Sequence, residues 1–311
     1  MSTLRVVAPG FLTTVQDLGR PGHAAAGVSA SGAADPLALQ IGNRLVGNSV
    51  GAAGLEMTMI GGAFRFESGG VFAVAGSDTG AQLGERDVAP WRPYTVRAGE
   101  TLVCGALRGG ARAYVCVRGG VSVPLFFGGA STHLLTGLGG FEGRALRADD
   151  RLRLGAPGSG EAFDRAVDPT GIPGYRPGEP FRATEGPQAS WFQPAARAAF
   201  YDTPWRVAEA CDRMGIRLSG RQVPLVEPRE LATEGVLLGS IQVPPGGLPI
   251  VLFVEHQTTG GYPKIASVIA ADLSRLGGVR PRDTIRFEAI SLSAARELLR
   301  AQVEAVDALF S

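Results

Sequence analysis

The residues best suited to chemistry follow an uninterrupted apolar run, Ile250 to Val254, and read His256-Gln257-Thr258-Thr259-Gly260-Gly261-Tyr262-Pro263-Lys264. Lys264 is the single lysine; every other member of the 30 Lys and Arg residues is arginine. An ammonium loses its proton when desolvated and a guanidinium effectively does not. A lone lysine among Gly, Pro and Tyr therefore points to proton chemistry or to a compact point charge. Thr258 and Thr259 supply two hydroxyls, and Gly260-Gly261 lets the backbone turn its N–H groups inward as a cradle for a carboxylate or a developing oxyanion. Tyr262 adds a donor, Pro263 stiffens the turn, and Lys264 supplies charge or a proton. The same string also reads as a Gly-Gly hairpin carrying one surface lysine.

A second cluster, Asp212-Arg213-Met214-Gly215-Ile216-Arg217, sets an acid beside a base before a glycine. It reads either as part of a site or as a solvated ion pair at a turn. Other chemistries are missing from the string: there is no Gly-x-x-x-x-Gly-Lys-Ser/Thr phosphate loop, no dinucleotide-binding unit and no Gly-x-Ser-x-Gly nucleophile elbow. The lysine sits in Tyr-Pro-Lys and not in Met-Lys-Met, so no covalent biotin is expected on this chain. Cys104, Cys116 and Cys211, like His23, His133 and His256, are too scattered for a disulfide framework or a zinc site, and no metal is expected.

The elements that must position these residues are strands. The 45 glycines and 21 prolines punctuate short runs of Val, Leu, Ile, Phe and Thr, which is the pattern of an all-β protein with a few short helices. A chain of 311 residues is long enough for two domains, each with its own core. Net charge is +1 with basic residues spread throughout, so neither nucleic acid nor a membrane surface is expected as a partner, and a small molecule or a protein is. Residues 1–15 lack a charged head and apolar core, and no apolar run approaches membrane-span length, which suggests a cytoplasmic protein.

In chain order, Leu4 to Val15 reads as strand broken at Pro9-Gly10, and Gln16 to Gly22 as a loop. Asp35-Pro36 starts a helix, with Leu37, Ile41 and Leu45 on one face and Gly47-Asn48 at its end. The small-residue loop Gly27 to Ala34 feeds that helix N-terminus, where free N–H groups suit an anion or a carbonyl. Strands are expected at Leu55–Thr58, Ala63–Phe66, Val71–Ala75, Thr95-Val96, Thr101–Cys104 and Ala113–Val117, as a meander closing into a barrel. The Gly/Pro-rich stretch of 161–180 is the expected linker between residues 1–160 and 181–311. Leu292, Ala295, Leu298, Leu299, Val303, Val306 and Leu309 mark a C-terminal amphipathic helix capped by Ser291 or Ser293 and docked on a barrel.

The halves share a weak pattern. Arg44-Leu45-Val46-Gly47, Glu56, Gly69-Gly70, Thr79-Gly80 and Val96 to Leu102 are echoed by Arg217-Leu218-Ser219-Gly220, Glu234, Gly246-Gly247, Thr259-Gly260 and Val279 to Ile285. This suggests a duplicated barrel. After Thr-Gly the first copy has Ala81-Gln82-Leu83 where the second has Gly261-Tyr262-Pro263-Lys264, side chains that packing alone does not require.

Phe11-Leu12-Thr13-Thr14-Val15-Gln16-Asp17-Leu18-Gly19-Arg20, Gly27 to Asn48, Asp212 to Leu218, Ile241-Gln242-Val243-Pro244-Pro245-Gly246-Gly247 and Gln257 to Lys264 together resemble the allophanate hydrolase subunit 2 family. It is also called the biotin-dependent carboxyltransferase family and includes the 5-oxoprolinase C subunits and the KipA proteins. The sequence departs from the family pattern at Gly277-Gly278-Val279 and at Phe127 to Ala130. The resemblance implies two cyclophilin-like β-barrels and an assembly with an allophanate hydrolase subunit 1 or KipI-like protein, joined in a 5-oxoprolinase by a third subunit. It implies ATP-dependent opening of 5-oxoproline to glutamate, with the ATP used by the assembly. The alternatives it implies are a carboxyltransferase part of a urea carboxylase system and a KipA-like regulator that binds a KipI-like kinase inhibitor. Within that frame Lys264, Tyr262 and Thr258 are the expected catalytic residues. Gln257, Gly260, Gly261, Asp212, Arg213, Gln242 and Glu234 are the expected substrate-binding residues.

Overall fold

Alternate burial sets the strand faces from the first element onward: Leu4 and Val6 are fully buried, whereas Arg5 and Val7 between and beyond them are not. The computed structural model describes residues 2–164, 166–227 and 229–310. It is mostly β with few helices, and one sheet closes nearly into a barrel. The chain divides into two compact units that are not consecutive halves. One holds the residues up to Arg20, Ser31–Gly174 and the residues from Ala305 on; the other holds Pro21–Ala30 and Tyr175–Glu304.

The first unit has two antiparallel sheets. One runs Arg151–Arg153, Thr3–Ala8, Ala63–Phe66, Thr101–Val103, Ala81–Leu83, Arg86–Val88; the other runs Leu12–Gln16, Gly54–Thr58, Arg108–Val117, Gly70–Asp78, Pro93–Val96. Their orders are not sequential, so the expected meander is replaced by pairings between distant strands. Leu4, Val15, Leu55, Met57, Phe64, Phe66, Phe72 and Val115 form its core.

Two segments expected to be open are closed by side chains of this unit. Gln16, Asp17 and Arg20, expected as loop, are buried. Asp17 accepts hydrogen bonds from Gly19 N (2.8 Å), Ala130 N (2.7 Å) and the Ser131 hydroxyl, and Arg20 donates to the Ser131 carbonyl. Irregular backbone stays buried only where its polar groups are paired, and this carboxylate pairs them. The helix Pro36–Leu45 starts as expected, with Asp35 Oδ1 accepting from Ala38 N at 3.0 Å. The N–H groups leading into it are not left for a ligand: Glu56 Oε2 accepts from Ala34 N (2.7 Å) and from the Tyr114 hydroxyl (2.7 Å), which in turn accepts from Asp35 N (2.8 Å).

The second unit is built on one eight-stranded sheet. Its order is Thr284–Ile285, Trp205–Val207, Gly215–Ser219, Ile250–Leu252, Ser240–Gln242, Lys264–Val268, Phe181–Glu185, Phe287–Ala289, antiparallel except at the last pair. Phe181, Phe200, Trp205, Ile216, Val251, Ile241 and Phe287 are buried, and Phe200 stacks on Phe287 at 4.9 Å between centroids. A two-stranded ribbon, Glu234–Gly235 with Thr259–Gly260, is the only other sheet among the described residues of this unit.

The internal repeat does not map onto matching elements. Arg44-Leu45 closes a helix while Arg217-Leu218 lies inside a strand, and Glu56 sits in a five-residue strand while Glu234 sits in the ribbon. The C-terminal helix spans Leu292–Ala308, and Ser291 Oγ accepts from Ala294 N at 3.2 Å. Its docking is confined to its C-terminal end: Val306 is buried in the first unit's core with Leu309 and Phe310 packed beside it, whereas Leu292, Leu299 and Val303 are exposed. No described helix is long and apolar enough to cross a membrane.

Candidate functional site

Four residues line up across the central strands of the second unit. Arg217 stands opposite Ile250, Ile250 opposite Gln242, and Gln242 opposite Lys264. Directly opposed residues project from the same face of a sheet. On the other face Ile216, Val251, Ile241 and Ala266 are packed into the core. The sequence builds this two-sided pattern by alternation in Gly215–Ser219, where Ile216 and Leu218 are buried and Arg217 is exposed.

Lys264 joins the row through a bulge. The pairing passes from Ile241–Ala266 to Gln242–Lys264, so Ile265 is an extra residue on one strand. In unbroken register Lys264 would oppose Val243 and share the face of Ile241; the one-residue slip turns it to the face of Gln242.

The ribbon covers this end of the row. Glu234 Oε1 lies 2.5 Å from Lys264 Nζ, with Lys264 only 4 % exposed at its side chain and Glu234 41 %. Gln188, itself buried, ties the pair together: its Nε2 donates to Glu234 Oε1 at 2.9 Å and its Oε1 accepts from Lys264 N at 3.1 Å. The Lys264 ammonium, and after it the Gln188 amide, hold the Glu234 carboxyl below its ordinary value against the opposing effect of desolvation. A residue with a Cβ at position 186 would place that atom 2.3 Å from the Lys264 carbonyl oxygen, so Gly186 is what lets the Gln188 turn approach this strand.

Gln242 is 2 % exposed. Its Oε1 accepts from Gln257 Nε2 at 3.3 Å, while its own Nε2 is buried without an acceptor. Gly260 lies against that nitrogen, where a Cβ would come within 2.7 Å. An unpaired buried amide donor costs roughly 1–3 kcal/mol.

Two cavities meet here. One of about 360 Å³ is lined by Asp212, Gly215, Arg217, Gln242, Gln257 and Tyr262 among others. A larger one of about 780 Å³ is lined by Gly261, Tyr262, Pro263, Arg229, Glu230 and the Val243–Gly247 segment. Tyr262, an exposed side chain, and Pro244 border both.

The fold brings Gln242, Gln257, Tyr262 and Asp212 to the smaller cavity, while Lys264, Glu234 and Gly260 border neither cavity and lie behind Gln242, Lys264 as its cross-strand partner and Gly260 against its Nε2. Gly261 lines the larger cavity only. Asp212 uses Oδ1 to cap its turn, accepting from Met214 N (2.8 Å) and Gly215 N (3.1 Å). Arg213 borders neither cavity, because its guanidinium is buried against Glu255. Thr258 also borders neither; its carbonyl accepts from Val236 N at 3.1 Å. His256, in the same segment, has its pKa lowered by burial.

Gln188 and Glu255 escape sequence reasoning, and Arg217 enters it only as the end of the Asp212–Arg217 cluster, without a role of its own. Glu255 carries a usable signal as the acid that ends the buried apolar run, and Arg217 carries one as the polar member of an alternating strand. Gln188 has no comparable signal, since it reaches the site from a turn that is distant in sequence.

Residues 26–289 match the family model described as carboxyltransferase domain, subdomain A and B. The chain is 39 % identical over 293 residues to the 5-oxoprolinase C subunit of Escherichia coli, covering 94 % of this chain and 93 % of that one. It is 32 % identical over 327 residues to the urea amidolyase of Lachancea kluyveri, covering 98 % of this chain and 18 % of that protein. Among solved structures, the K. lactis urea amidolyase superposes with a TM-score of 0.92 at 28 % identity, over 99 % of this chain and 20 % of that one.

Proposed function

The chain belongs to the carboxyltransferase domain, subdomain A and B family, and from that membership we propose that it is one subunit of an enzyme that activates a small amide, a 5-oxoprolinase that opens 5-oxoproline to glutamate with ATP. The observation that carries the reading is Gln242, which lines the smaller cavity, has a buried Nε2 without an acceptor, and stands one cross-strand position from the buried ammonium of Lys264. The 39 % identity to the 5-oxoprolinase C subunit of Escherichia coli, against 32 % to the urea amidolyase of Lachancea kluyveri, favours this substrate over urea.

An amide carbonyl resists attack because its nitrogen lone pair is delocalised into it. Hydrogen bonding and positive charge at the carbonyl oxygen stabilise the oxyanion that forms, and they act most strongly where water is excluded. Gln242 Nε2 donates to that oxygen, with Gln257 fixing the Gln242 amide by its hydrogen bond to Oε1. Lys264 supplies the charge. Glu234 and Gln188 set the position of the ammonium, so no reorganisation is needed as charge develops. In this reading the proton for the leaving nitrogen comes from the Lys264 ammonium, with the ionised Glu234, 2.5 Å away, as its counter-ion. Tyr262, on the border of both cavities, orients the ligand.

The residues here do not fit a nucleotide phosphate site. The one lysine is buried against Glu234 and the sequence has no phosphate loop, so ATP is assigned to the assembly and no step is routed through it here. The burial of Lys264 supports the reading that biotin is not attached to this chain. The partners are proposed to be an allophanate hydrolase subunit 1 or KipI-like protein and a third 5-oxoprolinase subunit.

The test is co-expression with an allophanate hydrolase subunit 1 or KipI-like protein and a third 5-oxoprolinase subunit, and assay of the purified assembly for ATP-dependent glutamate release from 5-oxoproline. Release that disappears when this chain is omitted is expected. Urea-dependent ATP consumption without 5-oxoproline turnover would assign the chain to a urea carboxylase system. Stable association with no turnover of either substrate would leave it a KipA-like binding protein.

A further inference from the structure

Arg217 occupies the open end of the row Arg217–Ile250–Gln242–Lys264 and lines the cavity of about 360 Å³. Other arginines of the second unit are paired. Arg213 is buried against Glu255, and Arg282 is paired with Glu209 at 2.6 Å. Among the described residues no carboxylate lies within ion-pair distance of Arg217, and its side chain is exposed to the cavity mouth. The same cavity is lined by Gln242, which is 2 % exposed and whose Nε2 has no acceptor.

Two strand spacings separate Arg217 from Gln242, roughly 10 Å between their backbones. Two inward-leaning side chains and a ligand of a few heavy atoms span that distance. The ligand must then offer an acceptor at each end: an anionic group for the guanidinium and a carbonyl oxygen for the amide. A planar guanidinium matches a carboxylate in bidentate fashion. Asp212, on the same wall with Oδ1 already capped by two backbone N–H groups, keeps its second oxygen to accept from a ligand N–H.

We propose that Arg217 is a specificity-determining residue of the smaller cavity: it takes the carboxylate of a ligand whose amide carbonyl is held by Gln242, so that the site selects small amides bearing a carboxylate over neutral ones such as urea. This rests on the reading of that cavity as the amide site. A charge-assisted pair made with the ligand in both ground and transition states strengthens binding without speeding the chemical step, so its loss falls on KM and spares kcat.

The experiment uses the co-purified assembly, with 5-oxoproline, its carboxylate-free analogue 2-pyrrolidone, and urea as probes, on wild type, Arg217→Gln and Arg217→Lys. For 5-oxoproline, Arg217→Gln is expected to raise KM about 10- to 100-fold with kcat within about threefold of wild type, the size of a lost charge-assisted hydrogen-bonded pair. Arg217→Lys, which keeps the charge but not the fork, is expected to fall between the two, and 2-pyrrolidone kinetics are expected to be the same in all three proteins. Unchanged KM for 5-oxoproline in Arg217→Gln, with wild type active, overturns the proposal and leaves the amide-site reading standing. Equal loss toward 5-oxoproline and 2-pyrrolidone also overturns it, since that is a general structural defect. Wild-type turnover of urea and not of 5-oxoproline overturns both the proposal and the reading.

Discussion

Gln242 and Lys264 face each other across adjacent antiparallel strands only because Ile265 bulges out of register between them. The bulge sets a buried amide with an acceptor-free nitrogen beside a buried ammonium held by Glu234 at 2.5 Å. Both arrangements weaken the fold by themselves, since an unpaired donor and a desolvated charge each raise the free energy of the native state. Such features persist where a ligand or a reaction uses them.

Lys264 carries both charge and a transferable proton in this reading. Lys264→Met is expected to lower turnover by about 10²- to 10⁴-fold, the usual span for a positioned acid or base. Lys264→Arg keeps the charge but not the proton chemistry. Steady-state assays of the assembly separate the two roles: full activity in Lys264→Arg would leave the residue a point charge only.

Gln242→Leu removes the idle donor while keeping nearly the same volume. Thermal stability is expected to change little, because losing the hydrogen bond from Gln257 to Oε1 is offset by replacing an unpaired buried nitrogen with carbon. Binding of the amide substrate is expected to weaken by about 1–3 kcal/mol. A parallel loss of stability and affinity would show that Gln242 holds the fold and not the ligand.

Gly260→Ala places a methyl group where only 2.7 Å separates the new Cβ from Gln242 Nε2. The amide must move, because the ribbon that carries Gly260 is paired to Glu234. Activity is expected to fall while Thr259→Ala, at the exposed neighbouring position, leaves it unchanged. Comparable activity in the two variants would remove Gly260 from the site.

Asp35 gives a pH signature to the first unit. Burial raises its carboxyl from the ordinary 3.8 to about 7, opposed by the Ala38 N–H and assisted by the charge of Glu56. A raised value in the folded state means that folding takes up a proton between pH 3.8 and about 7. The stability from the neutral form is full below that window and is lost as pH rises through it. The slope is bounded by about 1.4 kcal/mol per pH unit, and the partial exposure of Asp35 keeps it below that limit. Urea unfolding at several pH values should show wild type losing stability toward pH 7 relative to Asp35→Asn, which keeps a capping side chain but cannot ionise. Parallel curves would place the carboxyl in a wetter setting.

Asp17→Ala strips the acceptor from Gly19 N, Ala130 N and the Ser131 hydroxyl at once. A destabilisation of about 2–4 kcal/mol is expected, as for other losses of a buried polar network. Denaturant midpoints measure it, and a change below about 0.5 kcal/mol, the size of an ordinary surface substitution, would mean that water reaches these groups.

Much of this protein is legible from sequence because the signals are local. Gly and Pro spacing announces a β fold, and Asp35-Pro36 announces a helix start. The Gln257–Lys264 and Asp212–Leu218 segments stand out by residue type, and the long motifs in order announce the family. The duplicated pattern misleads, since Gly-rich turns recur without implying equal elements, as Arg44 and Arg217 show. The amphipathic period of Leu292–Ala308 identifies a helix, but periodicity does not say whether a face finds a partner, and here Leu292, Leu299 and Val303 stay exposed.

Tertiary structure alone decided which charged groups are committed and which are open. Adjacent in sequence, Asp212 and Arg213 look like a pair; folded, Arg213 is held by Glu255 and Asp212 caps a turn, while Arg217 four residues on lines the cavity. The cause is strand geometry. Sequence alternation fixes which residues share a face of one strand, but the register and the bulge fix which strands' faces meet. Only they bring Gln242, Lys264 and Arg217 into one row and lay Glu234 and Gly260 across its buried end.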